Sequence, residues 1–200
     1  SVNNAVIVVS SDKTVVPAGV VNQDIIEFVD FAPTILSFAG IDVNSKTFDY
    51  LDGVNLIDVA NGKAKKRQYA LGEISVISGH RAYLHSERFR FSMRTRPFKG
   101  FIPNEKIGEN LKWALEAPVE DVELSLYDLK YDPLEHNNLA NEKEYQALAN
   151  WFRHKLANIV LGDGRIEVDW SKENHYILSN FAKGADDKKL DIPQQLIPRI

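Results

Sequence analysis

Two hydrophobic periodicities follow one another between residues 69 and 160, and together they restrict the fold of the chain. Four short runs bounded by turn residues have the composition and alternation of strands: residues 69–77, 81–84, 89–95 and 124–129. Residues 141–160 instead carry apolar side chains at helical spacing, which makes one long amphipathic face. The sequence therefore predicts an α+β fold, in which a four-stranded antiparallel sheet packs against a long C-terminal helix.

Local signals set the predicted ends of these elements. Turns between the first three strands are expected at residues 78–79 and 85–87. Apolar residues at intervals of four predict a helical insertion over residues 104–115. Asn141 and Glu144 resemble a capping box, which places the start of the long helix at Asn141.

The first third of the chain has the pattern of an α/β layer. Residues 5–9 (AVIVV) are a near-continuous β-branched run, typical of a strand that lies inside a parallel sheet and needs neighbours. Asp30 is a suitable N-cap for a short apolar helix, Pro33 fits its first turn, and Gly40 can end it in the left-handed conformation. Asn55 is a suitable cap for a second short helix that ends near residue 62. We therefore expect the last strand and helices of an α/β domain.

Composition excludes several classes of protein. The 200 residues are 44% hydrophobic and 26% charged, which suffices for a sizeable globular core. No run approaches the roughly 18 apolar residues of a membrane span, and the net charge of -4 argues against nucleic-acid binding. Because the chain has no cysteine, it has no disulfide, thiolate metal site or cysteine nucleophile.

Five segments resemble, in order, the C-terminal region of the sulfatase family within the alkaline-phosphatase-like superfamily. They are residues 16–19 (VPAG), 30–36 (DFAPTIL), 51–56 (LDGVNL), 88–91 (RFRF) and 123–133 (ELSLYDLKYDP). The later segments are similar to the C-terminal subdomain of N-sulfoglucosamine sulfohydrolases. The resemblance implies that residues 1–66 are the tail end of an α/β catalytic domain, that residues 67–164 form an antiparallel-sheet subdomain with a packing helix, and that residues 165–200 are an extended wrapping tail.

The same resemblance implies an activity and where its chemistry lies. Sulfatases hydrolyse sulfate esters with a formylglycine, made within a Cys/Ser-x-Pro-x-Arg motif, and with calcium. The resemblance implies esters of sulfated glycans. The Cys/Ser-x-Pro-x-Arg motif is absent from this sequence. We therefore expect no catalytic or metal residue in the chain, with both cofactors in an N-terminal catalytic part that acts as its partner, and we expect the chain alone to be inactive. The resemblance also implies a periplasmic or secreted parent and a sulfated carbohydrate as substrate.

Asp12 is the one weak candidate for the family's metal loop. Residues 10–13 (SSDK) are similar to that loop, but Lys13 stands where the second ligand is expected. An ordinary aspartate at a strand end is the alternative interpretation. The five histidines do not show the i, i+3 or i, i+4 spacing of a helical zinc site. Asp128, Asp132 and Glu135 form an acidic cluster that we interpret as a turn and a helix entry.

An arginine-rich strand is the candidate binding surface. Arg88, Arg90, Arg94 and Arg96 share one parity, whereas Phe89, Phe91 and Met93 take the other, so one face is cationic and the other apolar. Guanidinium groups bind sulfate and carboxylate in forked geometry. The predicted substrate-binding residues are Arg94 and Arg96, together with His80 and Arg81 at the neighbouring hairpin. The alternative is a solvated outer face of a half-buried strand.

Two other functions fit the same residues. A non-catalytic module could bind acidic glycans or another partner through the basic strand. A phosphatase or phosphotransferase of the same superfamily is the other alternative. Residues 127–133 resemble sulfatases and therefore favour a sulfatase over this alternative.

Overall fold

The computed structural model describes residues 6–48, 50–74, 80–97, 113–161, 167–169, 177–180 and 188–199. The chain forms two compact units, Ser1–Lys66 and Arg67–Ile200, which we describe one at a time. Within the described ranges, no helix is both long enough and apolar enough to cross a membrane.

Two α-helices organise the first unit, α1 at Phe31–Phe38 and α2 at Leu56–Ala60, with 3-10 turns at Phe28–Asp30 and Lys46–Phe48. The predicted first helix is confirmed, and it ends at Gly40, whose φ of 78° is left-handed. Ile41 N–H donates to the Leu36 carbonyl at 3.0 Å and Gly40 N–H to the Ser37 carbonyl at 3.0 Å. These two bonds satisfy carbonyl groups that a helix end otherwise leaves unpaired.

The second short helix is also confirmed. The Asn55 side chain accepts a hydrogen bond from Ile57 N–H at 3.0 Å, as expected of an N-cap. At the other end, Lys63 N–H donates to the Asp58 carbonyl at 2.7 Å, next to Gly62. The helix therefore ends where the sequence predicts.

Asp30 has a different role from the predicted helix cap. It occupies the N-cap position of α1, but its side chain makes no capping bond to that helix. Its carboxylate is fully buried and accepts from Glu27 N–H at 2.8 Å and from Val54 N–H at 2.9 Å. The aspartate thus joins the start of α1 to the loop that precedes α2.

The predicted strand at residues 5–9 is wrong for the residues that can be described. Residues 6–10 have no regular secondary structure, and Ile7 and Val9 are 85% and 86% exposed. A strand needs neighbours to pair its backbone groups. The described residues of the first unit contain no strand that could supply them.

A four-stranded antiparallel meander forms the second unit, as predicted. The strands are β1 (Tyr69–Ile74), β2 (Arg81–Ser86), β3 (Phe89–Arg94) and β4 (Ser125–Asp128), in the order β1-β2-β3-β4. The expected turn at residues 85–87 lies one residue later. The Ser86 hydroxyl accepts from Phe89 N–H and donates to the Phe89 carbonyl, both at 2.9 Å, so β2 continues through Ser86.

The short helix α3 (Val119–Val122) and the long helix α4 (Gln146–Leu161) accompany the sheet. Phe152 of α4 stacks on Phe91 with ring centroids 5.5 Å apart and meets Phe89 edge-on at 5.9 Å. All three rings are buried, with Leu84, Met93, Leu126, Leu148 and Leu156 around them. The prediction of a sheet packed against a long helix is therefore confirmed.

The capping box predicted at Asn141 and Glu144 is wrong, because α4 begins five residues later. A 3-10 turn at Leu139–Asn141 precedes the helix, and Asn138 caps it by accepting from Ala140 N–H at 3.0 Å. Asn138 also accepts from Leu126 N–H at 3.0 Å and donates to the Leu124 carbonyl at 3.1 Å. The Asn138 side chain thus connects the segment before α4 to residues 124 and 126.

The remaining described segments are short. β5 (Glu167–Asp169) pairs antiparallel with β6 (Ile177–Asn180). Near the C-terminus, Leu190 N–H donates to the Gln68 side chain at 2.6 Å, and Gln68 N–H donates to the Lys188 carbonyl at 2.8 Å. Residues 113–116 are helical. The rest of the predicted insertion at 104–115 and the turn at 78–79 lie outside the described residues.

Candidate functional site

The meander has one covered face and one polar face. Residues directly opposite each other in an antiparallel sheet share a face, and the register places Arg81 opposite Arg94, Tyr83 opposite Ser92, and His85 opposite Arg90. Phe89, Phe91 and Met93 point to the other face and are fully buried. The predicted alternation along β3 is confirmed. We call the surface that bears Arg81, Tyr83, His85, Arg90, Ser92, Arg94, Ser125 and Tyr127 the polar face.

Arg88 departs from the predicted parity. It lies in the turn before β3, and its guanidinium group lies 4.8 Å from the centre of the Phe89 ring. It donates from Nε and Nη2 to both oxygens of the buried Asp128, at 2.8 to 3.1 Å. Since Asp128 lies opposite Phe89 in the sheet, this pair belongs to the covered side. The hydrogen bonds to Asp128 raise the pKa of Arg88 above its usual range.

The arginines of the polar face are held by glutamates from two loops. Arg90 Nη1 donates to both carboxylate oxygens of Glu135, at 2.6 and 2.7 Å. Arg94 Nε lies 2.9 Å from Oε2 of Glu123. Both glutamates have left-handed backbones, with φ of 59° at Glu135 and 50° at Glu123, a conformation that is costly for a residue with a side chain. Each strained position therefore presents a carboxylate to an arginine of β3.

Arg81 joins the Glu123 pair from the neighbouring strand. Its Nη1 lies 3.4 Å from Oε2 of Glu123, and its Nη2 donates to the Glu123 carbonyl at 2.6 Å. The same Nη2 lies 3.1 Å from the Ser92 hydroxyl and 3.3 Å from the Ser125 hydroxyl. Burial lowers the pKa of Arg81, and the nearby Glu123 carboxylate opposes that shift. The result is a pair of arginines side by side over two serine hydroxyls, with one carboxylate between them.

His80 and Arg96 form a second pair at the same end of β2 and β3. Thr95 N–H donates to the His80 carbonyl at 2.9 Å, which continues the ladder beyond the strand ends. Arg96 Nη1 lies 3.3 Å from His80 Nε2. Arginine can only donate, so Nε2 of His80 is the acceptor in this contact. All four predicted binding residues are thus gathered at one end of the sheet, as two adjoining pairs.

Sequence reasoning missed Glu123 and His85 as members of this surface. Glu123 follows α3 in a left-handed conformation, which the residue type does not predict because glycine is usual there. The sequence assigns no role to His85, whereas the structure places it opposite Arg90 on the polar face. Burial first, and then the charge of Arg90, lower its pKa, while Glu135 opposes the shift. The regular alternation of β2 is the signal that could have placed His85 on the polar face.

Among the described residues, no group of three or more His, Asp or Glu side chains lies close enough together to hold a metal ion. Asp12 accepts from Thr14 N–H at 2.9 Å and from the Thr14 hydroxyl at 2.6 Å, and these bonds lower its pKa. The acidic cluster is divided in the same way: Asp128 pairs with Arg88, Glu135 pairs with Arg90, and Asp132 accepts from Asn137 N–H at 2.7 Å. These carboxylates, as the structure describes them, serve turns and ion pairs.

The chain, with its antiparallel sheet, arginine-lined polar face and first-unit motifs, is similar in sequence to a sulfatase. The predicted resemblance is confirmed by sequence: the chain is 29% identical over 150 residues to the ulvan-active sulfatase of Formosa agariphila, a match over 62% of this chain. The chain spans 23% of the length of that relative. No protein-family model matches it.

Solved structures give a weaker likeness. One is a protein in complex with its substrate D-glucosamine-2-N,6-O-disulfate, with 22% identity and a TM-score of 0.43 over 65% of this chain and 23% of that one. Another is a phosphonate monoester hydrolase of Agrobacterium radiobacter, with 19% identity and a TM-score of 0.41 over 76% of this chain and 28% of that one. We rest the relationship on the sequence match.

Proposed function

We propose that this chain is the C-terminal part of a sulfatase that hydrolyses sulfate esters of glycans. The observation that carries the proposal is the sequence match to a sulfatase, of which the chain spans 23%. In this proposal the remaining part of the enzyme supplies the formylglycine nucleophile and a calcium ion. The sequence has no motif for that nucleophile and the described residues gather no metal ligands, so the chemical step is assigned to the partner region.

The chain's contribution is a wall of the substrate cleft. His80, Arg81, Arg94 and Arg96 lie at the same end of β2 and β3, where Arg81 and Arg94 belong to the polar face and His80 contacts Arg96. Forked guanidinium groups pair well with the oxygens of sulfate and carboxylate. We assign these four residues to binding an acidic sugar beside the reacting ester. They would position the substrate and take no part in bond breaking.

The first unit's contribution is an apolar contact with the catalytic part. Its exposed large side chains include Ile7, Val9, Val21 and Phe28. Such a concentration of exposed apolar residues is characteristic of a surface that another structure covers. We propose that the catalytic sheet of the parent enzyme covers residues 6–9, which would then take the strand conformation that their composition favours.

Two assays test the proposal. The full-length protein is expected to hydrolyse a chromogenic aryl sulfate with added calcium, whereas this chain alone is expected to show no turnover above background. Turnover by the chain alone would refute the assignment of the chemical step to the partner region. An inactive full-length protein that still binds sulfated glycans would favour the alternative, a non-catalytic glycan-binding module.

Substitution of Arg94 tests the cleft wall. In the full-length enzyme, Arg94→Ala is expected to raise KM for a polyanionic glycan about tenfold or more, with kcat largely unchanged, because it removes uniform binding of the substrate. Arg90→Ala is the matched control, since Arg90 lies on the same strand and face but pairs with Glu135. Equal effects from the two substitutions, or an unchanged KM with Arg94→Ala, would show that the four residues have a structural role and do not bind substrate.

A further inference from the structure

The three arginine–carboxylate pairs around the sheet differ in how firmly each acid is held. Asp128 and Glu135 each engage one arginine through both of their oxygens. At Glu123, the two arginines Arg81 and Arg94 both approach the single oxygen Oε2. One oxygen cannot match two guanidinium forks, which favour paired, parallel contacts.

In these three groups, the more exposed the carboxylate side chain is, the more buried its arginine partners are. The side chain of Glu123 is 53% exposed, compared with 2% for Asp128 and 27% for Glu135. Its two arginine partners are 13% and 10% exposed, compared with 34% for Arg88. The least buried carboxylate thus lies on the most buried cations. An acid that is already half in water loses little when it leaves, whereas buried guanidinium groups left without an anion are costly.

The surroundings of the two arginines are suited to an oxyanion. The hydroxyls of Ser92 and Ser125 lie 3.1 and 3.3 Å from Arg81 Nη2, and both side chains stand on the polar face. Hydroxyl groups and guanidinium N–H groups are the donors that sulfate and carboxylate accept from. Arg96 and His80 adjoin this group on the same end of the sheet.

We propose that Arg81 and Arg94 form an oxyanion seat, that the carboxylate of Glu123 occupies this seat in the unliganded protein, and that a sulfate or carboxylate group of an acidic sugar displaces it. The proposal deepens the substrate-binding role given above and rests on it. Glu123 then acts as an internal competitor that keeps the buried arginines paired until a ligand arrives. Its position after α3 is consistent with this role, since its backbone is left-handed where glycine would be less strained.

A sulfate titration of the full-length protein tests the seat without reference to turnover. Binding is followed by NMR of the arginine side-chain N–H groups in protein labelled with nitrogen-15, with sodium sulfate as the probe and sodium acetate in a parallel arm. Glu123→Gln, which keeps the side-chain size, is expected to bind sulfate about tenfold more tightly than the parent protein. A stronger gain for sulfate than for acetate would assign the seat to sulfate groups, and the reverse would assign it to carboxylates.

The matched control is Glu135→Gln, which removes the same charge from the other left-handed glutamate. It is expected to leave sulfate affinity unchanged, because Glu135 pairs with Arg90 and not with the seat. Adding Arg94→Gln to Glu123→Gln is expected to abolish the gain. Unchanged affinity in Glu123→Gln, or an equal gain in Glu135→Gln, would overturn the proposal. Neither result would bear on aryl sulfate turnover, which tests the sulfatase assignment separately.

Discussion

Asp30 shows how one buried side chain can hold two distant segments together. Its carboxylate accepts from two backbone N–H groups, and its own carbonyl accepts from the Thr34 hydroxyl at 2.6 Å. That hydroxyl accepts in turn from Leu56 N–H at 2.9 Å. The residues that stand out in the sequence as a family motif are therefore structural: they join the first turn of α1 to the start of α2.

Removal of this carboxylate is expected to loosen the first unit. Asp30→Ala leaves the N–H groups of Glu27 and Val54 without their acceptor, and a lost partner of a buried polar group costs about 1–3 kcal/mol. Faster amide hydrogen exchange at Val54 would report the loss. Asp42→Ala removes an exposed carboxylate that accepts from Asn44 N–H within its own turn, and it is expected to change exchange at Val54 very little. Equal exchange rates in the two variants would contradict the role assigned to Asp30.

His85 gives the sheet a dependence on pH. Its pKa in the folded protein is lowered, first by burial and then by Arg90, whereas the unfolded chain has the usual value near 6.5. A histidine with a lowered pKa resists protonation in the folded state, so folding stability is fully present above about pH 6.5 and declines as the pH falls through the folded pKa. Glu135 is the acid that opposes this effect.

Replacement of His85 by glutamine is expected to flatten this part of the stability profile. Urea unfolding followed between pH 8 and pH 5 should show a smaller decline for His85→Gln than for the parent protein. His154→Gln is the control, because His154 is exposed on α4. A decline that is identical in the parent protein and His85→Gln would show that other groups govern the profile.

At the scale of elements, α4 depends on one aromatic contact with the sheet. Phe152 is fully buried, stacks on Phe91, meets Phe89 and lies edge-on to Trp151 at 5.1 Å. Large aromatic side chains contribute more to a core than any other type, and ring pairs add to that burial. The helix covers the sheet mainly through this residue and its leucine neighbours.

Phe152→Ala is expected to destabilise the second unit by about 3–5 kcal/mol, through lost burial and the cavity that remains. Urea unfolding with tryptophan fluorescence measures the change, since Trp151 is adjacent. Asn150→Ala, at an exposed position on the same helix, is expected to change stability by less than about 0.5 kcal/mol. A loss below about 1 kcal/mol in Phe152→Ala would mean that the ring is not central to the packing.

The elements could be predicted because their signals are local, whereas their ends could not. Alternation in β3 and helical spacing in α4 are visible in any short window of sequence. The start of α4 depends instead on Asn138, which bonds to β4 a dozen residues earlier, and the end of β2 depends on a hydroxyl that bonds across a turn. The position of Glu123 could not be predicted either, since its backbone is left-handed where glycine is usual and its partners lie on strands about 30 to 40 residues earlier.

At the scale of the whole molecule, the two units differ in how well they cover their apolar residues. The sheet and α4 enclose a continuous core, whereas the first unit leaves Ile7, Val9, Val21 and Phe28 exposed. Residues 5–9 were predicted to need partner strands, and the described residues of the first unit supply none. The pattern of a strand could be recognised from sequence, but its formation requires neighbours that only the fold can provide.

The paired substitution Ile7→Ser and Val9→Ser tests what covers this segment. In the 200-residue chain it is expected to leave the circular dichroism spectrum unchanged and to reduce self-association in sedimentation velocity, because both side chains are exposed. In the full-length enzyme of the proposed function, the same pair is expected to cost about 1.5–3 kcal/mol per side chain, since both would be buried. No loss in the full-length protein would contradict the proposed contact.

Gly53 adds a consequence for how such chains are recognised. A methyl group at this position would come 2.0 Å from the Val29 carbonyl oxygen, so the loop can lie against the 3-10 turn at Phe28–Asp30 only because residue 53 has no side chain. Asp30 and Gly53 therefore form one joint: the Asp30 carboxylate accepts from Val54 N–H, and Gly53 leaves room for the backbone of residues 29 and 30. The joint involves no reacting group. A search for these two motifs would therefore detect the architecture even in a descendant that had lost every catalytic residue.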